Sequence, residues 1–178
     1  YSLVSENKDR IKISNPLFSE TSSLRTNIWE EHIKICNLNH KAGKESCWIF
    51  EIGNIFHKGD SIIEEQIISG IISGNNKYNK WNNSGKLEDL NYFEARGKFK
   101  EALGSLNVFI KDRPTEKFDF LHPGVSSILY IEGKEAGYFG QIHPRYLIEK
   151  KLKKKLYIFQ ISINNLIEAT TRKNNWVP

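Results

Sequence analysis

The sequence predicts an α+β domain built on a mainly antiparallel sheet, and three observations lead there. Short apolar, β-branched runs recur between turn residues. Two of them, SSILYI and AGYFGQI, are joined across Glu132-Gly133-Lys134-Glu135, which reads as a hairpin. The helical patterns that interrupt the strands do not alternate strictly with them, as a parallel sheet would require. A chain of 178 residues is expected to form one domain around one sizeable core.

In chain order, YSLV and RIKI (residues 1 to 13) read as short strands, the second stopped at Asn15-Pro16 by the missing proline donor. A helix follows, capped by Asn27 with Glu30 reaching back, and Ile28, His32, Ile35 and Cys36 fall on one face as core or interface. CWIFEIGNIF (47 to 56) and EQIISGIISG (65 to 74) read as neighbouring strands, with Gly70/Gly74 and Gly137/Gly140 as bulges or close backbone approaches. The Asn-rich segment 75 to 86 lacks a period and reads as a loop. From Leu90 to Leu106, Tyr92, Phe93, Phe99, Ala102, Leu103 and Leu106 follow a helical period. NVFIK returns to strand, His143-Pro144-Arg145 opens a third helix with proline in its first turn, and YIFQISI is a late strand before a polar tail from Ala169.

Composition narrows the function classes. With 39% hydrophobic and 26% charged residues, the chain is not a disordered tail, and no apolar run is long enough to span a bilayer. Cys36 and Cys47 fit no zinc spacing and read as buried thiols of a reducing compartment. The absence of methionine predicts a piece of a longer protein. The net charge of +5 owes much to Lys150, Lys151, Lys153, Lys154 and Lys155, a solvated helix end or a phosphate contact. No P-loop or dinucleotide fingerprint is present, and the adjacent pairs Glu30-Glu31 and Glu64-Glu65 point to different faces, so neither is a convergent acid/base couple. His122 and His143, each before a proline at an element boundary, are either facing catalytic groups or turn-fixing residues. The second is preferred, because no further ligand stands beside them. Arg25 and Arg96, beside apolar helical faces, read as ion-pair or phosphate residues.

Taken in order, SNPLFSETSSLRTNIWEEHIKICNLN, IFEIGNIF, QIISGIISG, YFEARGKFKEAL and HPGVSSILYIEGKEAGYFGQIHP resemble the core of the bacterial-type phenylalanyl-tRNA synthetase β subunit, over roughly residues 1 to 170. The motifs are short one by one and specific as an ordered set. The chain departs from the family pattern at Ile28-Trp29-Glu30-Glu31-His32, where Leu-Pro-Gly is common, and at Val125, where a basic residue is usual after His-Pro-Gly.

The resemblance implies a class II aminoacyl-tRNA synthetase-like fold without catalysis of its own. It divides the chain into a core over 1–169 and a linker over 170–178 toward an anticodon-binding domain. IFEIGNIF and YIFQISINNLIEA carry no arginine to hold ATP phosphates, in line with that silence. The implied enzyme is an α2β2 tetramer whose α subunit attaches phenylalanine to tRNA-Phe using ATP and magnesium, while this core binds no cofactor and serves as the platform for α. Arg25, Ile28, Trp29, Ile35, His122 and His143 are then structural or interface residues, and the lysines from 150 to 155 candidate phosphate contacts. A cytoplasmic or plastid setting is expected. Two other readings stand beside this one: a basic RNA-binding module using the lysine run with Tyr78 and Trp81, and a free-standing class II-like ligase using His122 and His143.

Overall fold

The computed structural model describes residues 10–17, 22–75, 88–106, 108–152 and 154–170. The first expected strand at 1–4, the Asn-rich segment from 76, Lys153 and the tail from 171 lie outside them. Ten elements follow one another: α1 (Trp29–Lys41), β1 (Cys47–Lys58), β2 (Ile62–Ser73), α2 (Tyr92–Gly104), β3 (Ile110–Pro114), β4 (Leu121–Ile131), β5 (Lys134–Ile142), α3 (Pro144–Glu149), β6 (Leu156–Ser162) and α4 (Ile163–Thr170). The strands form one six-stranded sheet in the order β1-β2-β6-β5-β4-β3, and every neighbouring pair is antiparallel. The α+β expectation holds in that form.

Two hairpins dominate. β1 and β2 pair without a break from Cys47↔Ser73 to Lys58↔Ile62. β4 and β5 meet through a two-residue turn, tighter than the four-residue connection expected, in which Glu132 and Gly133 both take positive φ, 51° and 85°. That is the type I′ geometry whose twist matches the flanking strands. Gly70 and Gly137 are close approaches, as expected. A Cβ on Gly70 would sit 2.5 Å from the Phe159 ring, and one on Gly137 would sit 1.8 Å from the Gln160 carbonyl oxygen.

Alternation of side chains across the sheet creates two layers of core. On one face α2 and α4 cover Ile72, Phe139, Tyr157 and Ile161. On the other, α1 and α3 cover Ile71, Tyr138, Leu156 and Ile158, and a small cluster of Ile28, Ile55 and Ile67 lies beside it.

Several expectations need correction. RIKI forms a short bridge rather than a strand: Lys12 pairs with Ser23, with Leu24 N–H donating to Ile11 at 2.8 Å and Ile13 N–H to Ser22 at 2.9 Å. The buried face of α1 is Trp29, His32, Ile33 and Cys36, and Ile35 is 42% exposed. The inward face of α2 is Ala95, Phe99 and Leu103, with Phe93 and Ala102 outward and Leu106 exposed beyond the helix's end. Its cap is Asn91, whose side chain accepts from Glu94 N–H while Glu94 reaches back to Asn91 N–H. The strand read as NVFIK begins three residues later, at Ile110. The polar tail is delayed by α4, whose Leu166 and Ala169 enter the core.

Candidate functional site

His122 and His143 stand side by side where β4 and β5 leave their common register. Leu121 pairs with Ile142 and the next pair is Ser126↔Gly140, so His122-Pro123-Gly124-Val125 loops out as a wide bulge. His122 Nδ1 accepts from Gly124 N–H at 3.1 Å, and His143 Nδ1 accepts from Arg145 N–H at 3.2 Å, capping α3. The rings stack with centroids 6.2 Å apart. Burial, then the charges of Arg145 and His122, hold the His143 imidazole below its usual pKa. Among the described residues no group of three or more His, Cys, Asp or Glu side chains is placed to hold a metal.

Arg25 fastens the segment before α1 to the outer edge of β1. Its Nη1 donates to Glu51 Oε1 at 2.7 Å and its Nε to the Asn54 carbonyl at 2.9 Å, while Phe56 N–H donates to the Arg25 carbonyl at 2.9 Å. Gly53 makes room for the guanidinium, since a Cβ there would lie 2.1 Å from Arg25 Nη2. A phosphate would have to displace Glu51. Arg96 is paired with Asp112, and Lys100 Nζ lies 3.4 Å from the same carboxylate. Burial raises the Asp112 pKa, but the two cations outweigh it and hold the carboxyl below the usual range.

Ile28 and Trp29 are buried, the first completely, so they act from inside the fold; Ile35 reaches the surface. Asn27 pairs with Glu30 through both the Glu30 N–H and its carboxylate, one residue ahead of the helix's formal cap at Ile28. The lysine run ends α3 rather than lining a face. Lys151 takes a left-handed φ of 55°, Leu152 N–H donates to Leu147 at 2.7 Å and Lys151 N–H to Ile148 at 3.0 Å, a Schellman closure. Lys150 lies 3.5 Å from Glu149, and Lys154 Nζ donates to the Glu45 carbonyl at 2.5 Å, whereas Lys155 is exposed. Cys36 and Cys47 are both buried and free, and burial with the Cys47 neighbour pushes the Cys36 thiol far up.

Two surface features escaped the sequence reading. Trp48, Phe50 and Ile52 stand at alternate positions of edge strand β1, 52%, 67% and 55% exposed, and form an apolar strip on the face that α2 and α4 cover elsewhere. The signal was present: CWIFEIGNIF places large apolar residues on both faces, which a one-sided edge strand has no internal reason to do. On the opposite face a cleft of about 520 Å³ opens between α1, the end of β1, the 117–120 loop and α3. Its walls include Trp29, stacked on Phe120 at 4.8 Å, and Tyr138, whose ring lies 4.7 Å from Phe118. No helix among the described residues is long and apolar enough to cross a membrane.

Comparison with known proteins agrees with the ordered motifs. Residues 1–163 match the family model described as the phenylalanyl tRNA synthetase beta chain CLM domain. The phenylalanine–tRNA ligase beta subunit of Prochlorococcus marinus (strain MIT 9312) is 58% identical over 179 residues, covering 100% of this chain and 22% of that protein. The same subunit from Prochlorococcus marinus subsp. pastoris is 57% identical over 99% of the chain and 22% of its own length, and that from Synechococcus sp. (strain CC9902) is 43% identical over 98% and 22%. The chain thus spans about a fifth of the length of the curated relatives it matches. With the family model covering every element through β6, the chain belongs to the phenylalanyl-tRNA synthetase β-chain CLM-domain family.

Proposed function

We propose that this chain is a non-catalytic, class II synthetase-like core of a phenylalanine–tRNA ligase β subunit, and that its work is to dock the catalytic α subunit. In the α2β2 holoenzyme, α attaches phenylalanine to tRNA-Phe with ATP and magnesium in the cytoplasm, and the core itself binds no cofactor.

The observation that carries this reading is the strip of Trp48, Phe50 and Ile52. An edge strand with three large apolar side chains on its uncovered face is an aggregation hazard unless a partner covers it. Burying the half of each side chain that is still exposed contributes about 1 kcal/mol or somewhat more, enough together to anchor an interface. The charge pattern supports a silent core. β6 and α4 hold no arginine, and Arg25 and Arg96 are engaged with Glu51 and Asp112.

The test is co-purification with an untagged α subunit, read by size-exclusion chromatography with light scattering. The wild-type chain should co-elute with α, and Trp48→Ser with Phe50→Ser should separate them while each protein stays folded. Lys150→Glu with Lys155→Glu should leave co-elution unchanged. Separate elution of folded wild-type chain and α would overturn the docking role.

A further inference from the structure

We propose that the free edge of β3, with the hollow beside it, is a docking site for an acidic protein segment that adds to the sheet as an extended strand. β3 closes the sheet at the edge opposite β1. The site therefore stands apart from the Trp48–Phe50–Ile52 strip, and its test is independent of α docking.

The backbone of β3 is open on one side. Thr115 N–H donates to the Ser126 carbonyl at 3.1 Å, one step past the last strand pair, Pro114↔Ser127. Antiparallel pairing turns alternate residues toward the neighbouring strand, so Arg113 and Lys111 bond to β4, and the N–H and C=O groups of Ile110 and Asp112 face the free edge. Pro114, at the next edge-facing position, has no N–H to leave unpaired. Among the described residues nothing hydrogen-bonds to Ile110 or Asp112 along that edge.

The side chains give the edge its charge. Val108 and Ile110 are buried with the layer under α2, whereas Phe109, Lys111 and Arg113 alternate with them on the other face and are exposed, Phe109 by 76%. The layer under α1 and α3 takes no residue from β3, so this face is uncovered. Tyr130, which pairs with Lys111, lies on the same face, and the Arg113 guanidinium stands 5.1 Å over its ring. Neither Lys111 nor Arg113 has a carboxylate partner among the described residues. Asp112 points the opposite way, to Arg96 and Lys100. Beside these cations a hollow of about 380 Å³ opens, walled by Val108, Phe109, Tyr130 and Ala169, with Glu132 its one carboxylate.

Charge and hydrogen bonding together select the occupant. A second copy of β3 would set its own cations against Lys111 and Arg113, and such charges keep identical edges apart. Carboxylates at alternate positions reverse that sign. A phosphodiester chain also meets the cations, but it offers acceptors without a row of donors and leaves the Ile110 and Asp112 carbonyls unpaired. An extended acidic polypeptide meets the donors, the acceptors and the cations at once. Its residues opposite Arg113 and Lys111 are acidic, and the next on that face, opposite Phe109, is apolar and enters the hollow.

The experiment is titration of the isotope-labelled chain with the peptide acetyl-Thr-Glu-Val-Glu-Val-Leu-Thr-amide, followed through the backbone amides of β3 and their hydrogen exchange. Antiparallel docking sets its two Glu opposite Arg113 and Lys111 and its Leu over the hollow. Binding should be saturable, and exchange at Ile110 and Asp112 should slow at least about tenfold, while Lys111 and Arg113, already bonded to β4, stay as they are. The peptide with Gln in place of Glu, and the peptide N-methylated at both Val, should each bind at least about tenfold more weakly. Lys111→Glu with Arg113→Glu, two exposed substitutions, should reverse the preference, so that the peptide with Lys in place of Glu binds better. No saturable shift up to about 5 mM, equal binding of the Gln peptide, binding that leaves exchange at Ile110 and Asp112 unchanged, or tighter binding of hexauridylate would each overturn the proposal.

Discussion

The two hairpins of the sheet are made of similar material and end in different surroundings. β5 buries both its faces: Phe139 lies under α2 and Tyr138 faces α1 and α3, and Leu129 and Ile131 of β4 join the first of these layers. β1 buries one face, through Cys47 and Ile55, and presents Trp48, Phe50 and Ile52 to solvent on the other. The difference lies in the cover and not in the strand. α2 and α4 lie over β6, β5 and β4 and reach β2 at Ile72, one strand short of the edge. Side-chain chemistry selects a strand, and what packs on the strand decides whether its apolar face becomes core or contact surface.

The largest expected effect breaks the comparison at its strongest point. Phe139 is fully buried against Phe99, Tyr92 and Tyr157, with centroids 5.2, 5.6 and 6.3 Å away. Phe139→Ala should cost about 3–5 kcal/mol in urea unfolding. Phe50→Ala, from the same residue type on the exposed strip, should stay within about 0.5 kcal/mol. Equal losses would mean that the chain covers its own edge strand and that the strip is no docking surface.

A smaller effect sharpens the contrast at the backbone. Gly70, in the middle of β2, lies against the Phe159 ring on one side and, 2.7 Å from where a Cβ would stand, the Ile49 carbonyl oxygen on the other. Gly70→Ala should destabilise by about 2 kcal/mol, because the carbonyl belongs to the ladder and cannot move aside cheaply. Gly97, inside α2 with open space around it, supplies the opposite sign: Gly97→Ala should stabilise by up to about 1 kcal/mol. Chemical denaturation of the two variants side by side checks both signs.

These positions also show what a sequence makes visible. The β4–β5 hairpin is legible because its turn depends on two adjacent residues, Glu132 and Gly133. The start of α3 is legible for the same reason, with His143 accepting from Arg145 N–H and Pro144 needing no donor. α4 is hidden because Ile163-Asn164-Asn165-Leu166 follows an apolar strand directly, and a helix of only eight residues is too short to show a separate period. On α1 the helical period alone fits a stripe through Ile35, and packing selects Ile33 instead, since Trp29, Ile33 and Cys36 share the side that faces the sheet. The cleft was beyond reach. Phe118 and Phe120 sit in a loop, and only the tertiary fold brings them to Trp29, about ninety residues earlier in the chain.

The smallest effect tests the covered face of the β1–β2 hairpin. His32 projects from α1 onto β2, 2% exposed, with Nε2 donating to the Ser69 carbonyl at 3.1 Å in its neutral form. Neither His32 Nδ1 nor the Ser69 hydroxyl, both buried, has a protein partner among the described residues. Burial holds the imidazole below its usual pKa, and Arg25 adds to this, against the Ser69 carbonyl and the carboxylates of Glu51 and Glu31, which favour the proton. A lowered folded-state pKa means that the unfolded chain takes up the proton first as pH falls. Stability should therefore be level above pH 6.5, the ordinary value for histidine, and decline below it until the folded pKa is passed. His40 and His143 are lowered as well and add to the decline. His32→Gln keeps a donor for the Ser69 carbonyl and removes the titration, so its stability curve between about pH 6.5 and 5 should be flatter than wild type by up to about 1 kcal/mol. An unchanged slope would place the acid sensitivity at the half-buried His40 and His143, and would show that α1 lifts from the sheet readily enough for His32 to be hydrated.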